Sequence, residues 1–201
     1  VCSSDLAQSD EELMRQYLAG DDKAFETVYA RRRAGLRRFL ERQCGSAATG
    51  QELAQEVWFK LIRACQGGQY TAEAKFTTFL YRVARNTLID WYRKNGKTPI
   101  VELHSKSDDD NEEAIEFEDT SIRNPEEAVA DAQNVEVVMK AIDELPEVQK
   151  TTLLMFLEGE MSYEEIAEAM NTKRETVKTR LRYARAALKR SEERRVGKEC
   201  R

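Results

Sequence analysis

Residues 173–190 carry three Lys and five Arg against one Glu, a local net charge of +7 in a chain whose total is −5. Arg174, Lys178, Arg182, Arg185 and Lys189 recur at helical spacing, and Val177, Leu181, Ala184 and Leu188 recur on the opposite side. Cations gathered on one helix face neutralise phosphates, and arginines among them reach base edges in a major groove. Just upstream, residues 161–170 form a shorter helical stretch with Ile166, Ala167 and Met170 as its apolar stripe. Ser162 with Glu165 fits a capping box, and Thr172 with Glu175 fits a second. Two short helices, a tight turn and a basic second helix are the sequence form of a helix-turn-helix. The plainer description is a solvated amphipathic helix; paired caps together with a one-sided basic excess favour DNA reading.

Two further stretches carry candidate binding residues. Over 75–94, Phe76, Phe79, Leu80, Val83 and Leu88 look inward, while Lys75, Tyr81, Arg82, Arg85, Asn86, Trp91, Tyr92, Arg93 and Lys94 crowd the remaining surface. Cations interleaved with aromatics suit a nucleic acid whose bases are unstacked, since rings stack on bases while cations hold phosphates. Core packing is the alternative for Tyr81, Trp91 and Tyr92. Over 51–65, Leu53, Ala54, Val57, Trp58, Leu61 and Ile62 define a buried side, leaving Glu52, Gln55, Glu56 and Lys60 exposed. Phe59 falls toward that exposed side, and an outward phenylalanine belongs in an interface rather than in water.

Other chemistry is excluded. The four cysteines (Cys2, Cys44, Cys65, Cys200) form no close pair and His104 is the single histidine, so neither a metal site nor a disulfide framework is supported. With no glycine-rich phosphate loop and no nucleophile motif, no cofactor and no enzymatic activity are expected. No apolar run approaches a membrane span and no signal-peptide pattern opens the chain, so a cytoplasmic protein is expected.

The elements that must position these residues are helical. Ser9 with Glu12 opens a short helix, and 23–44 forms a longer one with a basic face of Arg31, Arg32, Arg33, Arg37, Arg38 and Arg42. Gly35, in its middle, costs roughly 1 kcal/mol relative to Ala. Residues 45–50 read as a loop. Composition shifts at 95–132, which holds two of the three prolines and an acidic run over 108–119 with eight acids in twelve residues. This reads as a flexible acidic linker. Helical pattern returns from about 133, and Pro146 separates two helices ahead of the helix-turn-helix. The expected architecture is all-α: two small helical domains, 10–94 and 133–190, on an acidic strap. Residues 1–6 and 191–201 continue no periodic pattern and read as translated adapter sequence.

Four segments in this order resemble bacterial sigma factors of the extracytoplasmic-function type, the two-domain group of the sigma-70 family. They are Glu-Leu-Ala-Gln-Glu-Val-Trp over 52–58; Phe-Thr-Thr-Phe-Leu-Tyr-Arg-Val-Ala-Arg-Asn-Thr-Leu-Ile-Asp over 76–90; Leu-Pro-Glu-Val-Gln over 145–149; and the helix-turn-helix at 161–167 and 176–181. The resemblance covers most of 23–190. It implies that the face of Glu52, Gln55 and Glu56 docks on the clamp helices of the largest subunit of core RNA polymerase, and the outward position of Phe59 places it with them as a core polymerase-binding residue. It implies that Lys75, Arg82, Arg85 and Arg93 hold the phosphates of a melted minus-10 strand, with Phe76, Tyr81 and Asn86 forming the wedge and pocket for a flipped base. In the second domain, Arg174, Lys178, Arg182 and Arg185, with Thr176 and Thr179, would read the minus-35 element. An anti-sigma factor is a partner implied by the family, and a monomer is expected for the free chain. The competing function is a free-standing helix-turn-helix repressor, which would need a dimer interface that the sequence does not supply.

Overall fold

The computed structural model describes residues 8–96 and 132–199, with side chains over 8–96 and 138–191. The acidic run, His104 and residues 1–6 lie outside the described residues. Eight helices follow one another: α1 (Asp10–Leu18), α2 (Asp22–Cys44), α3 (Ala47–Gln66) and α4 (Phe76–Lys94), then α5 (Ala132–Asp143), α6 (Glu147–Glu158), α7 (Tyr163–Met170) and α8 (Arg174–Glu199). Among the described residues there is no strand, as expected of an all-α chain.

Helices α1–α4 close around Leu13, Met14, Val28, Leu36, Phe39, Leu40, Val57, Leu61, Phe76, Leu80 and Leu88, all buried. Their apolar residues recur three and four apart, so each helix turns one stripe inward. Asp10 is buried in the first turn of α1 and accepts from Arg31 Nη1 at 3.1 Å and Arg32 Nε at 2.6 Å, which ties α1 to the basic face of α2. Two guanidinium groups compensate the desolvated carboxylate.

Helix α3 begins at Ala47, inside the stretch read as a loop. Ser46 is its N-cap, its side chain accepting from the Thr49 N–H at 3.3 Å. Gly50 is not a loop residue: a Cβ there would meet the Glu41 backbone of α2 at 2.6 Å, so it permits the α2–α3 crossing.

The second unit packs Ile142, Leu145, Leu153, Leu154, Met155, Met161, Ile166, Ala169, Val177, Leu181 and Ala184 into its interior. Pro146 is the N-cap of α6 and Gly159 its C-cap. Helix α8 runs to Glu199, past the expected boundary at 190. The two units are packed together, α6 lying on α2 and α7 on α4. Gln43 of α2 donates to Thr151 Oγ1 of α6 at 2.9 Å in the buried part of that contact.

Candidate nucleic-acid interface

The helix-turn-helix is built by its caps. Ser162 accepts from the Glu165 N–H at 3.2 Å while the Glu165 carboxylate accepts from the Ser162 N–H at 2.7 Å, completing the predicted capping box. Helix α7 ends at Asn171, which adopts the left-handed conformation (φ 52°), and the Thr172 N–H returns to the Ala167 carbonyl at 2.9 Å. Asn tolerates this conformation better than most residues, so a turn glycine is not required. The second predicted box is out of register. The first α8 bond runs from the Val177 N–H to the Lys173 carbonyl, making Lys173 rather than Thr172 the cap, and Glu175 pairs instead with Arg174 at 3.2 Å.

Val177, Leu181 and Ala184 are buried, and Arg174, Lys178, Arg182 and Arg185 project from α8, exposed, with Thr176 and Thr179 half-buried beside them. Several of these cations are oriented. Arg174 bonds Glu164 of α7 and lies 6.0 Å from the Tyr163 ring centroid. Arg182 lies 5.2 Å from the Tyr183 ring and Arg185 5.7 Å from that of Phe156. The Glu164 carboxyl is held below its ordinary range, first by the backbone N–H at the start of α7 and then by Arg174. Aromatic bodies and one carboxylate thus set the direction of Arg174, Arg182 and Arg185.

On α3 the expected row is present as one face. Glu52, Gln55 and Phe59 are exposed, and Glu56 beside them pairs with Lys60 at 2.8 Å. Phe59 is 66% exposed, the most outward large apolar side chain among the described residues. The spacing i, i+3, i+4, i+7 places all four on one stripe of about two turns.

Helix α4 divides the candidates placed on it. Lys75, Asn86 and Arg93 are exposed, and Arg82 is half-exposed. Arg85 is half-buried; its Nε is buried without a hydrogen-bond partner, and its pKa is lowered by burial first and by the like charge of Arg180 second. The two aromatics named for a wedge and pocket both lie inside, Phe76 on the inward side where its spacing places it and Tyr81 away from the surface expected of it. Phe76 is fully buried, its ring packed edge-on against Tyr70 at 6.1 Å, because it opens α4 on the core side. Tyr81 is 1% exposed, edge-on to Phe39 at 5.1 Å, and its ring also lies against Gly159 of the second unit. In this arrangement neither ring is accessible to a base. Trp91 and Tyr92 are half-buried against each other at 5.1 Å, and the Tyr92 hydroxyl donates to the Gln43 carbonyl at 2.6 Å.

Sequence reasoning missed one residue that positions this helix. Lys75 offers α4 no side-chain cap, and the Phe76 N–H is taken by Glu11 of α1 at 3.2 Å. The pairing joins residues 65 positions apart, so no local pattern announces it. Among the described residues no group of three or more His, Cys, Asp or Glu is placed to hold a metal, and no helix is long and apolar enough to cross a membrane.

An all-α chain whose outward basic helix stands on a capped helix-turn-helix is, by its geometry, a DNA-reading protein. Comparisons with known proteins place it further. The Sigma-70 region 2 profile matches residues 28–98, and the Sigma-70, region 4 profile matches residues 136–188. The chain is 31% identical over 186 residues to the RNA polymerase sigma-H factor of Pseudomonas aeruginosa, covering 90% of this chain and 92% of that one. It is equally 31% identical over 185 residues to the ECF RNA polymerase sigma-E factor of Escherichia coli K12, with the same coverage. The solved structure of CnrH in complex with the cytosolic domain of CnrY superposes with a TM-score of 0.64 at 18% identity, over 92% of this chain and 98% of that one. The sigma factor RpoE from Bartonella quintana, solved with the anti-sigma factor NepR, gives 0.61 at 19% identity, over 85% and 98%. At those identities the likeness is one of fold. The chain belongs to the sigma-70 family, in its extracytoplasmic-function group, and its function is promoter-specific initiation of transcription with core RNA polymerase.

Proposed function

We propose that this sigma factor divides its work between three surfaces. Helix α8 reads the minus-35 element through Arg174, Lys178, Arg182 and Arg185, with Thr176 and Thr179 at the rim. Helix α4 holds the melted minus-10 strand through Lys75, Arg82, Arg85, Asn86 and Arg93. The Glu52, Gln55, Glu56 and Phe59 stripe of α3 docks on the clamp helices of the polymerase largest subunit. Tyr81 joins the strand-binding set once the second unit moves off it; Phe76 supports that surface from inside.

The observation that carries this reading is Phe59. A phenylalanine two-thirds exposed beside two carboxylates and an amide is costly on a free monomer and fits a partner that is basic and partly apolar. A repressor acting by occupancy gives no reason for such a face on a helix remote from α8. CnrH was solved with the cytosolic domain of CnrY and RpoE of Bartonella quintana with the anti-sigma factor NepR, which supports an anti-sigma factor as a further partner here.

Affinity for purified core polymerase tests the docking surface. Phe59→Ala and the Gln55→Ala/Glu56→Ala pair should each weaken binding by roughly tenfold or more, since a central interface anchor is worth about 2 kcal/mol. Undiminished binding by all three substitutions together would remove the α3 assignment.

A further inference from the structure

Lys60 follows the outward Phe59 on α3, yet its ammonium turns sideways to the neighbouring helix. Nζ lies 2.8 Å from Glu56 Oε1 in its own helix, donates to Thr87 Oγ1 of α4 at 3.0 Å, and stands 3.7 Å from Asp90 Oδ2. Arg93 approaches the other oxygen of Asp90 from one turn on, at 3.8 Å. The contacts run in one line, Glu56–Lys60–Asp90–Arg93. That line leads from the stripe proposed to dock on polymerase to the helix proposed to hold a single strand.

Asp90 is the one acid in α4, against Arg82, Arg85, Arg93 and Lys94. It stands four residues after Asn86 and three before Arg93, on the edge of the cationic face, where an uncompensated carboxylate repels phosphate. Lys60 supplies the compensation from α3. Thr87 is fully buried, so its bond fixes the lysine stem and holds the ammonium between two carboxylates. Ion pairs as exposed as these contribute little to folding. What they control is where a positive charge sits. Asp90 is the weaker partner at 3.7 Å because Glu56 holds the ammonium at 2.8 Å. A cationic partner that takes Glu56 removes that competition. The ammonium then closes on Asp90, and Arg93, no longer drawn to the same carboxylate, turns to a phosphate.

We infer that Lys60 is a positioning residue that couples core docking to strand capture. When a cation of the polymerase takes Glu56, Lys60 shifts to Asp90 and the phosphate-holding face of α4 gains positive charge. The coupling rests on the roles proposed above for the α3 stripe and for α4. By linkage it runs both ways, so a captured strand strengthens docking by the same factor.

The test uses holoenzyme assembled from core polymerase and the full chain. It reads core affinity, capture of a fluorescent single-stranded DNA carrying the minus-10 sequence at which the wild type initiates, and helix content by far-UV circular dichroism. Lys60→Met keeps the stem and removes the charge. It should tighten core binding roughly twofold to fivefold, the effect of freeing Glu56 from one exposed pair. It should weaken strand capture roughly tenfold, at unchanged helix content. Adding Asp90→Asn to Lys60→Met should return strand capture to within about twofold of wild type, since the unmasked acid is gone. A lysine that merely braces α3 against α4 would not be rescued in this way. Capture that is unchanged in Lys60→Met, or lost and not restored by Asp90→Asn, overturns the inference. Weaker core binding by Lys60→Met also overturns it, because the lysine would then be a docking contact itself. Phe59→Ala and Arg82→Ala are the controls for the two underlying roles. If both lower their own readout while Lys60→Met moves neither, the coupling alone falls. If either control is silent, that role falls and takes the coupling with it.

Discussion

Phe59 and Tyr81 show how little residue type alone says about role. Both are aromatics on helix faces that read as binding surfaces in the sequence; one is outward and the other is enclosed between two units. Because Phe59 touches little of its own fold, Phe59→Ala should leave thermal stability within about 0.5 kcal/mol of wild type while core binding falls. A large loss of stability would show that the side chain serves the fold. Burial also sets an alkaline limit. It pushes the Cys65 thiol from 9.0 up to about 11, and raises the phenols of Tyr70, Tyr81 and Tyr92 for the same leading reason. Between pH 9.0 and about 11 the native chain keeps the Cys65 proton that the unfolded chain releases, so stability falls as pH rises through that window. Urea unfolding at about pH 8 and about pH 10 should show that loss, and Cys65→Ala should reduce the difference between the two. An unchanged difference would place the effect elsewhere.

At the scale of elements, the most legible features were those written locally. The Ser162–Glu165 box, the helix break at Pro146 and the outward cations of α8 follow from residue types and spacing along a few turns. What was not legible depends on residues far apart in sequence. Glu11 caps α4, Asp10 gathers Arg31 and Arg32, and Gly50 marks a helix crossing rather than a loop. Glycine punctuates loops and permits close approach alike, and only the neighbouring helix distinguishes the two. The second box failed by one residue because Lys173, with no capping side chain, supplies the first carbonyl. Two substitutions weigh these devices. Ser162→Ala should cost about 1 kcal/mol by removing a matched cap, measured by chemical denaturation, and no loss would mean the box is redundant. Glu11→Ala strips the side-chain acceptor of the Phe76 N–H and should raise amide exchange in the first turn of α4. Unchanged protection there would deny Glu11 its capping role.

For the molecule as a whole, the division into two helical units was readable from composition, because the chain changes character where periodicity stops at 95 and resumes near 133. The acid-rich segment between them lies outside the described residues. How the units meet was not readable: the pairs Arg82–Glu168 and Arg38–Glu158 join residues 86 and 120 apart, and each looks like an ordinary surface charge by itself. A chain of net −5 whose basic faces are partly covered by its own acids should bind DNA weakly when free, and more strongly once core polymerase holds it open.

The most direct test of the central account is core-dependent transcription from a library of varied minus-35 and minus-10 elements, with the transcripts sequenced. Initiation is expected from one promoter class and should be lost with the Gln55→Ala/Glu56→Ala/Phe59→Ala protein, with the selected minus-35 bases shifting when Arg182 or Lys178 is replaced. Initiation that ignores both elements, or that survives loss of the α3 face, would contradict it.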